Sequence, residues 1–267
     1  MKDSIDYKAI NKESWNRRAE SHYDSEFYGN DNFIKGKNSL NEIELDILGD
    51  VAGKSILHLQ CHFGQDTISF TRLGAKAVGA DLSDKAIEKA RELADITGSD
   101  AGFVCSDIYE LPNALDGKFD IVFTSYGTIG WLPDLGRWAA VIKHFIKPGG
   151  QFLIVDFHPT LWMFDDDFEG VKYNYFNDGP IVETESGSYA DKDGQWEKEY
   201  VGWNHSIADI LTSLMNKGLT ITKMQEFDYS PYDCFKHTEK ITERKYRIKK
   251  FGNKLPMVYA ISAQNEI

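Results

Sequence analysis

The sequence predicts an α/β fold built on a mostly parallel sheet. Three observations carry that reading. Short apolar runs alternate with helix-like stretches. The runs are continuously apolar rather than alternating in and out. Loops with glycine, aspartate or serine follow the first three runs, where a strand would hand over to a helix. Strands covered by helices on both faces have no solvent-facing side, so they need no polar alternation.

In chain order, residues 1–50 read as a helical extension, with Trp15, Tyr23, Phe27, Tyr28 and Phe33 scattered through a polar background. Residues 55–59 form the first strand, followed by a loop and a helix over 66–73. The second strand is 77–81, and Ser83 stands as N-cap of an Ala/Lys/Glu helix through Ala94. The third and fourth strands are 103–105 and 119–124. A helix begins near Leu135 and is stopped by Lys147-Pro148-Gly149-Gly150, with a fifth strand at 152–155. Residues 206–217 are helical up to Gly218, 219–226 alternate as a half-buried strand, and 257–263 complete a set of seven. Segments 159–203 and 227–256 interrupt this rhythm. Both follow strand ends expected on the carboxyl edge of the sheet, where open α/β folds bind ligands.

The 267 residues make one large domain or two small ones, with one favoured; most of the surface is buried on folding, and disulfide or metal staples are not needed. Cys61, Cys105 and Cys234 are too few and too scattered for a disulfide framework. No apolar run approaches ~18 residues, so no membrane span is expected. The N-terminus has no apolar h-region, and the expectation is a cytoplasmic protein. A net charge of −12 argues against unaided binding to nucleic acid. The charge is unevenly spread. Residues 160–203 hold eleven carboxylates and three lysines, and 236–254 hold eight Lys/Arg and two Glu. Emerging on one edge, the two stretches are expected to pair. The rival reading gives the basic stretch an acidic acceptor or RNA, helped by Phe235, Tyr246 and Phe251.

The loop after the first strand, His58-Leu59-Gln60-Cys61-His62-Phe63-Gly64, lets backbone approach a nucleoside. Asp81, at the second strand end, can accept from both hydroxyls of a ribose. Ser106-Asp107-Ile108 offers a polar pair and an apolar wall for a heterocycle. At these positions the chain resembles the class I S-adenosylmethionine-dependent methyltransferases, over roughly 51–158 and on through the final strands. The family's acid-x-Gly-x-Gly-x-Gly motif maps onto His58, Gln60, His62 and Gly64, keeping one glycine. More specific marks are Val78-Gly79-Ala80-Asp81-Leu82-Ser83, Cys105-Ser106-Asp107-Ile108, Phe119-Asp120-Ile121-Val122 and Lys147-Pro148-Gly149-Gly150. The whole chain is similar to uncharacterised bacterial methyltransferases with a Leu-His-Leu-Gln-Cys-His-Phe-Gly opening. Dinucleotide sites need glycines because a pyrophosphate presses on the loop. The methionine end of S-adenosylmethionine carries no phosphate, so Gln60 and His62 count against NAD more than against this donor.

The resemblance implies a Rossmann-like seven-stranded sheet with helices on both faces and an antiparallel last strand. The extension 1–50 then precedes a methyltransferase domain, 51–267, that carries two lids. S-adenosylmethionine is the implied cofactor. Asp81 would hold the ribose with Leu82 on the adenine; Asp107, Ser106 and Ile108 would receive the base; Gln60, Cys61, His62 and Gly64 would line the methionine end, the backbone of Gln60, Cys61 and Gly64 included. Thr124 and Ser125 would sit under the sulfonium, with Tyr126 projecting into the transfer chamber.

Bland readings compete with these: Asp107 as a cap for the turn before Tyr109, and Asp120 bonding backbone at its strand start. His58, Cys61 and His62 match no common zinc spacing, and no metal is expected. Methyl transfer needs alignment, exclusion of water and, for some acceptors, a base. His158 and His22 are the candidate bases. The insert 159–203 holds ten aromatics in forty-five residues, either an extra core layer or a cap over the acceptor. Trp15, His22, Tyr23, Tyr28, Trp131 and Trp162 are the expected pocket for a small-molecule acceptor. The competing functions are a non-catalytic sensor of the same nucleoside and an NAD-dependent oxidoreductase. Neither the acceptor atom nor the oligomeric state follows from the sequence.

Overall fold

The computed structural model describes residues 5–191, 194 and 196–266. Helices α1 (Tyr7–Tyr23), α2 (Asn30–Ile34) and α3 (Glu42–Leu48) precede β1 (Ser55–Leu59). There follow α4 (Gln65–Arg72), β2 (Lys76–Asp81), α5 (Asp84–Thr97), β3 (Gly102–Cys105), α6 (Leu111–Ala114), β4 (Phe119–Ser125), α7 (Leu135–Phe145) and β5 (Ile146–Phe157). The C-terminal part contributes β6 (Ile181–Ser186), β7 (Glu197–Gly202), α8 (Ile207–Asn216), β8 (Thr220–Phe227), β9 (Thr238–Thr242), β10 (Lys245–Ile248) and β11 (Val258–Gln264).

Seven strands join in the order β3-β2-β1-β4-β5-β11-β8. The first five run parallel, and β11 is antiparallel to both of its neighbours. The order reverses between β1 and β4, and ligands of open α/β sheets collect at such a reversal. The strands alternate their sides between two apolar layers. Leu57, Val122, Phe152 and Ile154 pack under α7 and α8 through Trp138, Ile142, Ile210 and Leu214. Ile56, Phe123, Leu153 and Val155 pack with α3 and α4 through Ile43, Leu48 and Phe70.

The end signals act as the sequence implies. The Ser83 side chain accepts from Ala86 N–H, and Gly98 closes α5 in the left-handed conformation. Ser206 and Asp209 form a reciprocal capping box at α8. Asp120 is structural: it accepts from the Ser55 backbone and hydroxyl and pairs with Lys147 at 2.9 Å, which hold its carboxyl down at about 2. One boundary differs. Lys147-Pro148-Gly149-Gly150 does end α7, but strand pairing resumes already at Ile146, because the ladder slips between Phe119 and Ile121 and takes the glycines into β5.

Each interrupting segment contributes a hairpin, β6–β7 and β9–β10. Charge pairing between them is partial. Lys236 and His237 reach Asp167 at 3.3 and 3.1 Å, and Lys250 reaches Glu169 at 3.0 Å. Arg247 turns to Asp228, Lys245 to Glu42 and Lys240 to Glu243.

Candidate active site

The β1 loop keeps a glycine-type backbone without the glycines. Gln60 and His62 adopt φ of 55° and 52°, and Gly64 follows at 78°. Left-handed backbone costs a residue with a Cβ roughly 1–2 kcal/mol, so the loop stores strain at two positions. At Gly64 there is no choice: a Cβ there would stand 2.4 Å from Phe103 Cε1. The strained loop hands the His62 backbone N–H to Asp81 Oδ2 at 2.8 Å, while Asp81 Oδ1 accepts from Ser83 N–H at 2.9 Å. Burial pushes this carboxyl above its usual range. Each oxygen keeps one lone pair, matching the two hydroxyls of a diol.

Two expectations about backbone need correction. The Cys61 N–H is bonded to Ala80 O at 3.0 Å and the Gly64 N–H to Cys61 O at 2.9 Å, so neither is available to a ligand. Cys61 is buried, and its sulfur packs beneath Gly79. The free polar atoms of the loop are on side chains. Gln60 Nε2 donates to Thr128 O at 2.9 Å, leaving Gln60 Oε1 buried without a partner; both ring nitrogens of His62 are likewise buried and unpartnered. A group carrying an ammonium and a carboxylate, the methionine end of S-adenosylmethionine, meets that demand, so these residues fit the donor.

Asp107 does what the bland reading said. Its Oδ1 accepts from Tyr109 N–H at 2.8 Å, capping the turn Ile108–Glu110, and its Oδ2 pairs with Lys8 of α1 at 3.2 Å. Ser106 N–H is bonded to Asp81 O, Ile108 is buried, and Leu82 is half-buried beside them. Thr124 is buried with its hydroxyl on Leu59 O, whereas Ser125 faces Asp66 at 3.4 Å.

Helix α1 lies across this edge. Asn16 reaches Ser83 and Asp84. Trp15 meets His62 and Trp131 edge-on at 5.4 and 5.1 Å, and His22 stacks on His62 at 5.3 Å. Between them Arg18, which the sequence reading missed, is buried with its guanidinium 5.3 Å from the Trp15 and Trp131 rings and bonded to Ser14 and Glu185. The signal was present: Trp15, Arg18 and His22 are spaced three and four apart, on one helical face. Burial holds His22 and His62 at about 2 and 3, so both are neutral at pH 7. His22 bonds Ser188 at 2.8 Å.

Beyond Tyr28, which stacks on His62 at 5.4 Å, lies a second set of groups that sequence reasoning did not assemble. Tyr126, at φ 45°, donates to Glu44 Oε2 at 3.1 Å and meets the Tyr232 ring edge-on at 4.9 Å. Asn41 Nδ2 donates to both Glu44 and Tyr232. Tyr28 and Tyr189 share a hydrogen bond of 2.7 Å. Asp66 accepts from Ser39 at 2.6 Å. Glu44 is fully buried, and desolvation with the nearby Asp66 charge raises it to about 7. Asp66, Tyr28, Tyr126, Tyr189 and Tyr232 keep part of their surface accessible, yet burial raises every one of their pKa values. Side chains that keep accessible surface while so desolvated are those that surround a shared hollow, and in that sense this cluster is read as a recess.

Three expected site residues fall elsewhere. Both ring nitrogens of His158 are taken, by Thr160 and by Glu226 at 2.9 and 2.8 Å, because the strand end turns the ring toward β8. It has no nitrogen left for a substrate proton. Trp162 packs with Phe157 and Phe235, apart from Trp15 and Trp131. Tyr23 belongs to the core between α1 and α5, with Phe63 and Ile87. Among the described residues no group of three or more His, Cys, Asp or Glu is placed to hold a metal, and no helix is long and apolar enough to cross a membrane.

The strand order with β11 reversed is the Rossmann-like arrangement that solved S-adenosylmethionine-dependent methyltransferases share. Residues 56–150 match the family model described as a methyltransferase domain. An uncharacterized methyltransferase of Synechocystis sp. is 32% identical over 133 residues, 49% of this chain and 60% of that protein. A ubiquinone biosynthesis O-methyltransferase of Aromatoleum aromaticum is 30% identical over 121 residues, 44% of this chain and 51% of that protein. The chain thus spans between half and three fifths of the length of these curated relatives. Among solved structures, an S-adenosylmethionine-dependent methyltransferase from Mesorhizobium loti superposes with a TM-score of 0.57 at 20% identity, over 86% of this chain and 99% of that one.

Proposed function

We propose that the protein transfers a methyl group from S-adenosylmethionine to a small-molecule acceptor. One observation carries the reading: inside the stretch that matches a methyltransferase domain, the β1 loop accepts strain to bond Asp81 while leaving Gln60 and His62 polar atoms unpartnered. The donor, when bound, supplies a methyl group already activated on a sulfonium. The residues of the chain hold and orient. Asp81 takes the ribose diol, and Leu82 and Ile108 flank the base. Gln60 Oε1 accepts from the ammonium of the methionine end, and the Arg18 guanidinium draws its carboxylate. Neutral His62 and His22 add no charge that would repel a sulfonium. Helix α1, with Trp15 against Trp131, closes the edge and excludes water.

Calorimetric titration with S-adenosylhomocysteine and with NADH tests this. Binding of the first and not the second is expected. Asp81→Ala should weaken it by ~1.5–3 kcal/mol, the range for hydrogen bonds to a charged group. Unchanged affinity in that variant puts the donor elsewhere, and binding of NADH instead overturns the methyl-transfer reading in favour of the oxidoreductase one. Label from an isotopic methyl donor appearing in a cell-extract metabolite separates turnover from sensing.

A further inference from the structure

The recess beyond Tyr28 is rich in acceptors and poor in donors. Glu44 and Asp66 are both carboxylates, and the ion pairs of the described residues pass both by. Arg244, the neighbouring cation, spends its guanidinium on the carbonyls of Leu40 and Ser39, at 2.8 and 2.7 Å. It acts on Asp66 only through space. Two acids face one cation there, and a buried carboxylate without a cationic partner is costly, which is why both carboxyls are raised. A second, independent mark is Asn41. Its amide nitrogen donates to Glu44 and Tyr232, and the carbonyl oxygen of that same amide is buried, on a residue 3% exposed, with no donor. What the recess lacks is a ligand with N–H groups and positive charge. The rings of Tyr126 and Tyr232 stand beside these acids, edge to face with each other at 4.9 Å, and aromatic rings attract cations.

We propose that this recess receives an organic ammonium, held by Asp66 with Glu44, Asn41 Oδ1 and the two tyrosines, and that the acceptor of the methyl group is therefore an amine. The inference rests on the methyl-transfer reading for its second half only. Ser125, where the resemblance puts the sulfonium, contacts Asp66, so the two halves of the site meet there. An ammonium has no lone pair to give. Asp66 takes its proton: the N–H bond breaks, an O–H bond forms on the carboxylate, and the electron pair stays on nitrogen.

The test is calorimetry on the full chain at pH 7.5, with benzylammonium and n-butylammonium against benzyl alcohol and n-butanol, each with and without saturating S-adenosylhomocysteine. At least one ammonium should bind tenfold or more tightly than its alcohol, and should bind together with S-adenosylhomocysteine rather than in competition. Asp66→Asn should erase that preference while S-adenosylhomocysteine affinity stays within about twofold. Glu44→Gln, checked by circular dichroism, should weaken the ammonium several-fold. Equal binding of alcohol and ammonium, or no binding of either ammonium, overturns the proposal, and the wild-type comparison needs no variant to fold. Competition between benzylammonium and S-adenosylhomocysteine also overturns it, since the recess would then hold the donor's own ammonium. If S-adenosylhomocysteine does not bind at all, the methyl-transfer reading falls, and the ammonium-alcohol preference without it still decides the recess.

Discussion

The two halves of the proposed site are built by opposite means. The proposed donor half is centred on neighbouring strand tips, with α1 laid over them through Arg18 and His22: Asp81 lies 19 residues from the His62 N–H that it accepts. The acceptor half is assembled across the chain. Asn41 and Tyr232 are 191 positions apart, Tyr28 and Tyr189 are 161, and Tyr126 and Glu44 are 82. The donor half satisfies its acid with backbone and keeps its histidines neutral. The acceptor half buries two carboxylates and leaves them short of positive charge. A scaffold held by local turns suits one constant ligand, and a recess drawn from extension and inserts can differ between relatives that share the sheet.

The sharpest way to break the donor half is at Gly64. Gly64→Ala puts a Cβ into the Phe103 ring and imposes a side chain on left-handed backbone. The backbone contributes roughly 1–2 kcal/mol and the overpacking about 1–3, so a loss near 3 kcal/mol is expected in urea unfolding. Wild-type stability in that variant would mean that the loop can relax, and that the strain at Gln60 and His62 is not enforced by packing.

The halves should also respond oppositely to pH. Glu44 is raised from its ordinary 4.5 to about 7. The folded protein thus binds this proton more tightly than the unfolded chain. The stability from Glu44 is fully present below about pH 4.5 and is lost as pH rises through 7, a swing of about 3 kcal/mol at 1.36 kcal/mol per unit. Glu44→Gln should remove that slope, read by urea unfolding at pH 5 and pH 8. A slope unchanged in Glu44→Gln would remove the unpaired carboxylate on which the acceptor half depends. On the donor side the sign reverses. His62 and His22 are depressed from 6.5 to about 3 and 2, so their stability is present above pH 6.5 and lost on acidification toward those values. Their ring protons should show no titration between pH 5 and 8 by NMR, and a midpoint near 6.5 for either would mean that α1 does not close over the loop.

The same contrast explains what could be read in advance. The strands of the sheet were marked by short apolar runs, or by alternation at 219–226, and Asp81 and Gly64 by an ordered series of turns, because those signals lie within a few residues of what they build. Gln60 and His62 looked like lost glycines, yet the loop keeps their left-handed backbone, and a left-handed φ on a residue other than glycine leaves no trace in its identity. His158 misled because a histidine at a strand end carries no sign of a Glu226 waiting 68 residues on. Glu44 and Asp66 were invisible. A carboxylate in a helix reads as a solvated one until the tertiary fold covers it, and Tyr126 was in view without the partner that gives it meaning.

The smallest effect concerns the two inserts over this edge. Had the acidic and basic stretches been joined by a dense ion network, salt would loosen them together. Among the described residues the structure shows three such contacts, Lys236 and His237 on Asp167 and Lys250 on Glu169, all of them exposed. Exposed pairs contribute little and are screened within about 10 Å at 0.1 M salt. The inserts are instead tied down by apolar contacts: Phe164 and Phe168 of one pack on Phe251 and Phe235 of the other, at 5.2 to 6.2 Å. Limited proteolysis of the inserts should therefore change little between low salt and about 0.5 M, while Phe251→Ala should expose them to cleavage at either. A large salt response with an indifferent Phe251→Ala would reverse the balance and make charge, rather than the aromatic seam, what holds the inserts in place.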